Sequence, residues 1–547
     1  MQADFKKILE EELDGEISDQ PQALGHFSRD ASLFTVKPEL VVFPKNEGDL
    51  ETLVKLVTAH KAADPTLSLS VRAAGTCMSG GSLNKSIIVD VTRHLTGVIA
   101  VEPGRASAWT GTFYRDFERA TLKTGQLLPS YTASKDLCAL GGMIGNNSGG
   151  EKTLRYGKTE RYIESLSVVL ADGKTYELRA WSAAELEKRL ADPGFLGQAT
   201  ARLYRLLTLN DELIKKAKPS VSKNSAGYYL WNIWDGQTFD LTRLFVGAQG
   251  TLGLVSKATF KLVPQAKYSR LLVIFMPNLK ELGQIVSVAL RLEPDSIESY
   301  DDHTLSVALR FWPAIMKKLT EGSWWKLLWS FRAELKMVLA GGWPKLVLLV
   351  ELSDTEETKL DLRIKKLKSE LKSFKVQTRL TQSTEETSKY WAIRRESFSL
   401  LREHSRGRRT APFIDDIIVR PEYLPEFLPE LQTVLDRYNL IYTIAGHAGD
   451  GNFHIIPLMN LKDKGQTDLI LELSDLVYDL VLKYGGSITA EHNDGIIRTP
   501  YLEKMYGSEM VQLFQEVKNI FDPAGIFNPG KKVGGSRSDI RKYLSKS

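Results

Sequence analysis

The most informative part of the chain for its fold is Leu67-Ser-Leu-Ser-Val-Arg72 with the loop after it, Ala73-Ala-Gly75-Thr-Cys-Met-Ser-Gly80-Gly-Ser82. The first part alternates apolar and polar residues, which predicts a strand. The second part is rich in glycine, which allows positive φ and close approach of the backbone to a ligand. Successive amide N–H groups in such a loop form a concave anion site, so the stretch predicts a strand that leads into a phosphate-binding loop. The loop matches neither GxGxxG nor GxxxxGK[ST], which argues against a nicotinamide Rossmann site and against a P-loop.

Strand and helix patterns alternate on both sides of this loop. Residues 40–44 and 87–91 are short apolar runs typical of buried strands, and residues 48–60 have the spacing of an amphipathic helix. Residues 1–37 are expected to form a helix and a loop. From about residue 268 to 460, strand-like runs are separated by helical stretches, which indicates a second, α+β domain.

Length and composition narrow the class of protein. A chain of 547 residues is too long for one hydrophobic core, so two or three domains are expected. A net charge of +5 without a long basic stripe argues against nucleic-acid binding. The two cysteines, Cys77 and Cys138, exclude a disulfide framework and an iron–sulfur cluster held within the chain. No signal-peptide pattern and no membrane-length apolar run is seen, so a cytoplasmic location is expected.

Two further glycine clusters follow the first one. They are Leu140-Gly-Gly-Met-Ile-Gly-Asn-Asn-Ser-Gly-Gly150 and Phe245-Val-Gly-Ala-Gln-Gly-Thr-Leu-Gly-Leu254. One such loop alone is more often a tight turn. Three of them, each beside an apolar strand, favour the binding of a long dinucleotide.

These loops resemble those of the FAD-linked oxidases of the vanillyl-alcohol oxidase superfamily. The resemblance rests on the first loop, on Pro129-Ser130, on residues 141–150 with Arg155-Tyr-Gly157, and on Gly250-Thr-Leu-Gly253. It runs along nearly the whole chain and is closest to the D-lactate, glycolate and D-2-hydroxyglutarate dehydrogenase branch. Within that branch, the flavin part of bacterial D-2-hydroxyglutarate dehydrogenases with a fused iron–sulfur domain is the most similar.

The resemblance implies an α+β fold with a PCMH-type FAD-binding domain of two subdomains at 38–265. A cap domain with an antiparallel sheet and the metal site is expected at 266–500. A C-terminal segment, 501–547, is expected to return to the FAD domain and to end in a basic tail. FAD would be contacted by Arg72, Ala74, Gly75, Thr76, Ser79, Gly80, Gly81, Ser82, Pro129, Ser130, Gly141, Gly142, Met143, Gly145, Asn146, Asn147, Ser148, Gly149, Gly250, Thr251, Gly253, Leu254, Val255 and Asn528.

Non-covalent binding of FAD is expected. Some members of the superfamily tether the flavin through a histidine, but the matching loops here contain none. Cys77 departs from the family pattern in the first loop, and we interpret it as a small packed residue rather than a tether.

Three of the eight histidines fall in two short motifs. The motifs are Gly446-His447-Ala-Gly-Asp-Gly-Asn-Phe-His454 and Ala490-Glu491-His492-Asn-Asp-Gly495. Residues seven apart on a straight strand point to opposite faces, but the Gly-Asp-Gly insert can bend the chain and bring both imidazoles together. Two imidazoles and one carboxylate with open positions are the ligands of a catalytic metal site. The alternative is a turn that carries hydrogen-bonded histidines.

The resemblance assigns roles to these residues. His447, His454 and Glu491 match the family's metal ligands, and His492 matches its catalytic base. Arg394 lies in a segment similar to the one whose arginine binds the substrate carboxylate; the alternative is a solvated helix charge. The metal is expected to be zinc, with manganese or iron as alternatives.

Two departures from the family pattern leave the substrate open. Asn493-Asp494 stands where the family commonly has glycine, and residues 412–416 lack the lysine that related dehydrogenases place before an aspartate. The expected activity is therefore FAD-dependent oxidation of a D-2-hydroxy acid: D-lactate, D-2-hydroxyglutarate or glycolate. The alternatives are an inert FAD-binding subunit of a multi-subunit oxidase and an oxygen-using alcohol or sugar oxidase.

The electron acceptor is expected to be a separate component. An iron–sulfur subunit, an electron-transfer flavoprotein and a quinone all remain open. Residues 311–344 combine five tryptophans with four lysines and one arginine, a mixture that suits peripheral contact with the inner membrane face or a docking surface. The alternative is a cap helix whose aromatic side chains are packed inside.

Overall fold

The computed structural model describes residues 3–310, 342–404, 409–438, 440–463 and 465–545. Strands within these residues form sheets of four, six, two and eight strands, with helices packed around them. Most pairings are antiparallel; the parallel ladders join neighbours in the four-stranded sheet. This mixture confirms the α+β class.

The four-stranded sheet contains the strand that leads into the first glycine loop. Leu69–Arg72 pairs in parallel with Ile87–Asp90, which in turn pairs with Leu40–Phe43. Both predicted apolar runs are therefore central, buried strands. The sheet, in spatial order, consists of Glu16–Ser18, Leu40–Phe43, Ile87–Asp90 and Leu69–Arg72.

The helix predicted at 48–60 spans Glu47–His60. The side chain of Asn46 caps it by accepting a hydrogen bond from the Asp49 amide, which satisfies one of its free N–H groups. Leu50, Leu53 and Val54 are buried at the helical spacing of an amphipathic face. The N-terminal segment is more ordered than the predicted helix and loop, because it forms two helices with the strand Glu16–Ser18 between them. These helices are Ala3–Glu12 and Pro21–Phe27.

The six-stranded sheet carries the rest of the first half of the chain. In spatial order its strands are Thr238–Asp240, Thr175–Ser182, Ile163–Val169, Leu254–Lys261, Arg105–Trp109 and Val98–Glu102. A two-stranded ribbon joins Val263–Pro264 to Gln126–Leu127. The helices of this region are Tyr114–Leu122, Leu140–Asn146, Thr153–Tyr156, Ala183–Leu190, Phe195–Leu209, Asp211–Ala217 and Thr242–Phe245.

The strands of the eight-stranded sheet pair in antiparallel fashion within the described residues. In spatial order it contains Gln377–Leu380, Tyr268–Met276, Leu346–Asp354, Ser296–Asp301, Ile441–His447, Asn452–Met459 and Arg409–Thr410, with Ile417–Ile418 also on Asn452–Met459. The helices around it are Leu282–Leu290, Asp302–Arg310, Glu357–Glu370, Thr384–His404, Leu424–Asp436 and Gln466–Lys483. We call this region the cap.

The chain returns to the first sheet near its C-terminal end. The amide of Leu69 donates to Ile526 O at 2.7 Å, and the amide of Asn528 donates to Leu69 O at 2.8 Å. Residues 526–528 therefore add a parallel bridge to the strand that precedes the first glycine loop. The expected return of the C-terminal segment is confirmed. Its helices are Leu502–Tyr506, Ser508–Phe521 and Arg537–Tyr543, and the short helix Gly495–Arg498 precedes it.

Candidate active site

A cavity of about 710 Å³ lies between the glycine loops and the cap. Fifteen of the expected FAD contacts line it, drawn from all three loops. They are Ala74, Gly75, Thr76, Gly81, Ser82, Gly141, Gly142, Met143, Gly145, Asn146, Ser148, Gly149, Gly250, Gly253 and Val255. The cap contributes Arg394, His447, His454, Glu491 and His492 to the same cavity.

Nine expected contacts lie outside the cavity lining. They are Arg72, Ser79, Gly80, Pro129, Ser130, Asn147, Thr251, Leu254 and Asn528. Asn528 shows what such a residue does instead, because its amide donates to Gly81 O at 2.8 Å and to Gln249 O at 2.7 Å. Asn528 therefore links the first and third glycine loops without lining the cavity.

Two lining glycines show that the cavity wall is shaped for a ligand. A Cβ atom added at Gly142 would meet nothing closer than Ala73 at 3.8 Å, and one at Gly145 nothing closer than Gln249 at 3.9 Å. Neither residue has a positive φ. Since neither packing nor backbone conformation requires glycine at these positions, close approach of a bound group explains them. The wall therefore leaves room for a bound group at these two glycines.

Other lining residues were not predicted from the sequence. Tyr131 and the loop 132–138 line the cavity, as do Gln249 and both cysteines. Cys77 is half-buried, with Sγ 3.2 Å from Ser79 Oγ. Cys77 and Gln249 lie within the glycine clusters, and residues 131–138 precede the second cluster, but none of them belongs to a recognisable motif.

A β-hairpin of the cap positions the two histidines of the first motif. Strands Ile441–His447 and Asn452–Met459 pair with His447 opposite Asn452 and with Ala445 opposite His454. Gly451 takes a φ of +74° in the turn between the strands. The turn brings the two imidazoles to a centroid distance of 5.2 Å, with their ring planes nearly perpendicular.

Glu491 completes a group of three ligand atoms. One atom each from His447, His454 and Glu491 lie within 4.8 Å of one another, with His447 Nε2 3.6 Å from Glu491 Oε2. Tetrahedral zinc with ligands at roughly 2.0–2.1 Å requires donor atoms about 3.3 Å apart. The separation of His447 Nε2 and Glu491 Oε2, 3.6 Å, is close to that value, whereas the whole group spans up to 4.8 Å.

Each of the three residues has a partner on the atom that faces away from the group. His447 Nδ1 lies 2.5 Å from Glu298 Oε1, His454 Nδ1 lies 3.0 Å from Asp415 Oδ1, and Lys223 Nζ donates to Glu491 Oε1 at 2.6 Å. Outer partners of this kind orient the ligands of protein metal sites. The donor set therefore fits a divalent metal.

Charge at the site is balanced by these contacts. Burial lowers the pKa of His447, but the carboxylates of Glu298 and Glu491 raise it to about 9. Burial raises the pKa of Glu491, yet Lys223 and His447 hold it well below its ordinary value. Lys223 also forms an ion pair with Asp450 in the hairpin turn, at 2.9 Å. The site thus contains positively charged groups, His447 and Lys223, next to negatively charged carboxylates.

His492 lies beside this group on the cavity wall. Its Nδ1 is 2.7 Å from Asp415 Oδ2, and its ring is nearly parallel to that of His454 at 5.1 Å. Burial lowers the pKa of His492, but Asp415 and Asp416 raise it to about 9. Its other nitrogen, Nε2, can take a substrate proton in the neutral form of the ring, which predominates above about pH 9.

Arg394 lies at the cavity but already has a partner. Its Nε and Nη2 atoms lie 3.1 Å from Glu298 Oε2, while the other oxygen of Glu298 binds His447. Glu298 therefore joins the expected substrate arginine to an expected metal ligand. Glu298 was not predicted from the sequence, because its strand, Ser296–Asp301, carries no recognisable motif.

The structure explains one departure from the family pattern. Asn493 takes a φ of +67°, a conformation that glycine adopts freely and asparagine tolerates. Its side-chain amide donates to Gly247 O at 2.8 Å and to Asn146 O at 3.2 Å. The next residue, Asp494, pairs with buried Lys532 at 2.9 Å. The side-chain hydrogen bonds of Asn493 therefore hold the Glu491-His492 loop against the second and third glycine clusters.

The glycine-lined cavity beside clustered imidazoles and carboxylates defines the class as a cofactor-binding protein. A family model described as FAD binding domain matches residues 38–179, and one described as FAD linked oxidases, C-terminal domain matches residues 265–532. The chain belongs to the FAD-linked oxidases, and the resemblance seen in its sequence motifs is confirmed.

Similar proteins agree with this assignment. D-2-hydroxyglutarate dehydrogenase of Pseudomonas putida is 27% identical over 524 residues, which cover 94% of this chain and 50% of that protein. Glycolate oxidase subunit GlcD of Bacillus subtilis is 26% identical over 515 residues, which cover 93% of this chain and 91% of that one. This chain spans about half the length of the first of these relatives.

A solved structure shows the same fold. The 4-ethylphenol oxidase of Gulosibacter chungangensis, in complex with isoeugenol, gives a TM-score of 0.67 at 14% identity and covers 98% of each chain.

The described residues contain no helix that is both long and apolar enough to cross a membrane. Residues 311–341 of the tryptophan-rich segment lie outside the described ranges, so the expectations for that segment stay predictions.

Proposed function

We propose that this protein is an FAD-dependent dehydrogenase that oxidises a small D-2-hydroxy acid to the 2-oxo acid. In this proposal a divalent metal is held by His447, His454 and Glu491, with His492 as the base. The observation that carries the proposal is the group of three ligand atoms within 4.8 Å, beside His492, on a cavity lined by the FAD-binding loops.

The residues of the chain would divide the chemistry among them. A bound metal would supply a Lewis acid that lowers the pKa of the substrate hydroxyl, and bound FAD would supply the acceptor for the hydride from C2. His492 takes the hydroxyl proton at Nε2, because its Nδ1 faces Asp415. Arg394 binds the substrate carboxylate at the cavity wall, and Glu298 holds its guanidinium in place.

The substrates we propose are D-lactate, D-2-hydroxyglutarate and glycolate. The relatives named D-2-hydroxyglutarate dehydrogenase and glycolate oxidase subunit support this range. Zinc is the metal best suited to two imidazoles and one carboxylate, with manganese or iron as alternatives.

Non-covalent FAD and a separate electron acceptor complete the proposal. The described histidines that line the cavity are His447, His454 and His492, all of them on the cap side. Two cysteines are too few to hold an iron–sulfur cluster within the chain. An iron–sulfur subunit, an electron-transfer flavoprotein or a quinone would therefore take the electrons from the reduced flavin.

Anaerobic bleaching of the flavin tests the proposal directly. The FAD-loaded protein is mixed with D- and L-2-hydroxy acids before chelation, after chelation, and after readdition of zinc or manganese. We expect one D-acid to bleach the flavin, chelation to abolish the bleaching, and the metal to restore it. His492→Asn should remove the bleaching, whereas Asp436→Asn, which affects a cap carboxylate that contacts Tyr442 instead, should not. Absence of bleaching by every acid in metal-loaded protein would contradict the proposal and favour an inert FAD-binding subunit.

A further inference from the structure

Asp415 is a fully buried carboxylate whose two oxygens face two different imidazoles. Its Oδ1 lies 3.0 Å from His454 Nδ1, and its Oδ2 lies 2.7 Å from His492 Nδ1. We infer that Asp415 is a positioning residue that orients the metal ligand His454 and the base His492 together. The inference rests on the proposed function, since it concerns the roles of those two histidines.

The chemistry of imidazole explains why one carboxylate can set both roles. A neutral imidazole carries its proton on one nitrogen, and its other nitrogen is then free to accept a proton or bind a metal. A carboxylate can only accept, so it keeps the proton on the Nδ1 that faces it. Asp415 is hydrogen-bonded to His454 Nδ1, whereas it lies 2.7 Å from His492 Nδ1 at an angle outside hydrogen-bond geometry. With Asp415 beside both Nδ1 atoms, the Nε2 atoms of His454 and His492 both remain available. The nearly parallel rings, 26° apart, are consistent with two imidazoles held from the same side.

The backbone around Asp415 is itself held in place. Arg498 is fully buried, and it donates to Asp415 O at 2.6 Å and to Asn493 O at 3.0 Å. These contacts tie the peptide of Asp415 to the loop that carries His492. The backbone from which the Asp415 side chain projects is therefore fixed relative to that loop.

The next residue acts on the backbone of the same loop. Asp416 Oδ2 accepts hydrogen bonds from the amides of Glu491, at 2.8 Å, and His492, at 2.7 Å. It also accepts from Thr489 Oγ1 at 2.6 Å. The two consecutive aspartates thus have different roles. Asp416 holds the backbone of the loop that carries Glu491 and His492, and Asp415 orients the rings of His454 and His492.

His447 provides an internal contrast. Its Nδ1 is held by Glu298 and not by Asp415. Loss of the Asp415 carboxylate should therefore weaken one of the two imidazole ligands and the base at once, while His447 keeps its partner. A residue that served only packing would not change metal affinity and proton removal together.

The test compares full-length, FAD-loaded Asp415→Asn with wild type, after each has been stripped of metal. Zinc affinity is measured by competition with a chelator, and anaerobic flavin reduction is followed at saturating zinc and saturating D-2-hydroxy acid. We expect zinc affinity to fall about 10- to 100-fold, the effect of losing an outer partner of a ligand. We expect the rate of flavin reduction to fall by about the 10²- to 10⁴-fold that a positioned base contributes. His492→Asn should slow reduction similarly while leaving zinc affinity within about twofold of wild type.

The outcomes separate this inference from the proposed function. Wild-type protein that binds zinc and is reduced by a D-2-hydroxy acid supports the proposed function by itself. If Asp415→Asn then matches wild type in both measurements, or changes only one of them, joint positioning is overturned. Wild-type protein that neither binds zinc nor is reduced would overturn both proposals.

A second variant covers the case in which Asp415→Asn does not retain FAD. Asp415→Glu keeps an acceptor-only carboxylate, but its longer side chain cannot keep both distances. It should therefore lower zinc affinity or the reduction rate by about tenfold or more. Values within twofold of wild type for both quantities would overturn the inference.

Discussion

Replacing Glu298 by glutamine should weaken metal binding in a way that depends on pH. Glu298 is 1% exposed, and its Oε1 lies 2.5 Å from Nδ1 of the candidate ligand His447. Glutamine keeps the shape of the side chain but removes the charge. Its amide group can also donate to Nδ1, which would favour the imidazole form with the proton on Nε2, where the metal should bind.

Two effects of opposite sign determine the size of the change. Loss of an outer carboxylate partner lowers metal affinity by about 10- to 100-fold, or about 1.4–2.7 kcal/mol. Glu298 also helps to raise the pKa of His447 to about 9, so protons compete with the metal for wild-type His447 at neutral pH. At about pH 7.5 this competition weakens binding roughly 30-fold, and the glutamine variant should escape most of it. The two effects should nearly cancel at neutral pH, and the full loss should appear only above pH 9.

The assay is a zinc competition titration of both proteins at several pH values from about 7 to 9.5. Wild-type affinity should rise with pH, because the proton on His447 is lost as pH rises through its folded pKa. The variant should show a flatter profile and, at the highest pH, an affinity about 10- to 100-fold below wild type. Glu351→Gln serves as the matched control, since Glu351 lies on the adjacent strand and contacts Ser269. A wild-type advantage that is absent at high pH, or one that does not change with pH, would refute the reasoning.

Three further predictions address the charge pairing, the flavin wall and the loop backbone. Lys223→Met leaves buried Glu491 without its cation, so the metal-free protein should lose about 3–5 kcal/mol of stability; zinc should then raise the melting temperature more than it does in wild type, and an equal rise would contradict this role. Gly142→Val should weaken FAD binding about tenfold or more without changing the secondary structure of the FAD-free protein, because the side chain would fill space used by the ligand; fluorescence titration with FAD and circular dichroism measure the two quantities, and unchanged affinity would be the contrary result. Asn493→Ala and Asn493→Gly both remove the side-chain amide, but alanine should be less stable by about 1–2 kcal/mol because only glycine adopts positive φ freely; equal denaturation midpoints would contradict the backbone argument.

Much of the fold follows from local sequence patterns. The alternation at 67–72 and the apolar runs at 40–44 and 87–91 predicted three strands of the first sheet, because strand periodicity and burial are local properties. The second helix of the N-terminal segment, Pro21–Phe27, was missed, although proline at its first turn is a recognised start signal. Pairing order was not predictable: Leu69–Arg72 has Ile526 and Asn528 as neighbours, more than 450 positions further along the chain.

The candidate site, like the fold, could be predicted from the sequence only in part. The residues that carry the chemistry could be recognised in the chain because their types and spacing are unusual: three glycine loops, His447 and His454 around a Gly-Asp-Gly turn, and Glu491-His492. The charged residues that contact them could be identified only from the folded structure, since Glu298, Lys223 and Asp415 come from three distant segments and have no motif. Buried charges acquire partners through folding, where low dielectric makes each contact strong, and such contacts leave no periodic trace in the chain. Residues 412–416 show this difference, because in the sequence they were notable only for a missing lysine. In the folded protein their two consecutive aspartates contact His454, His492 and the loop that carries Glu491.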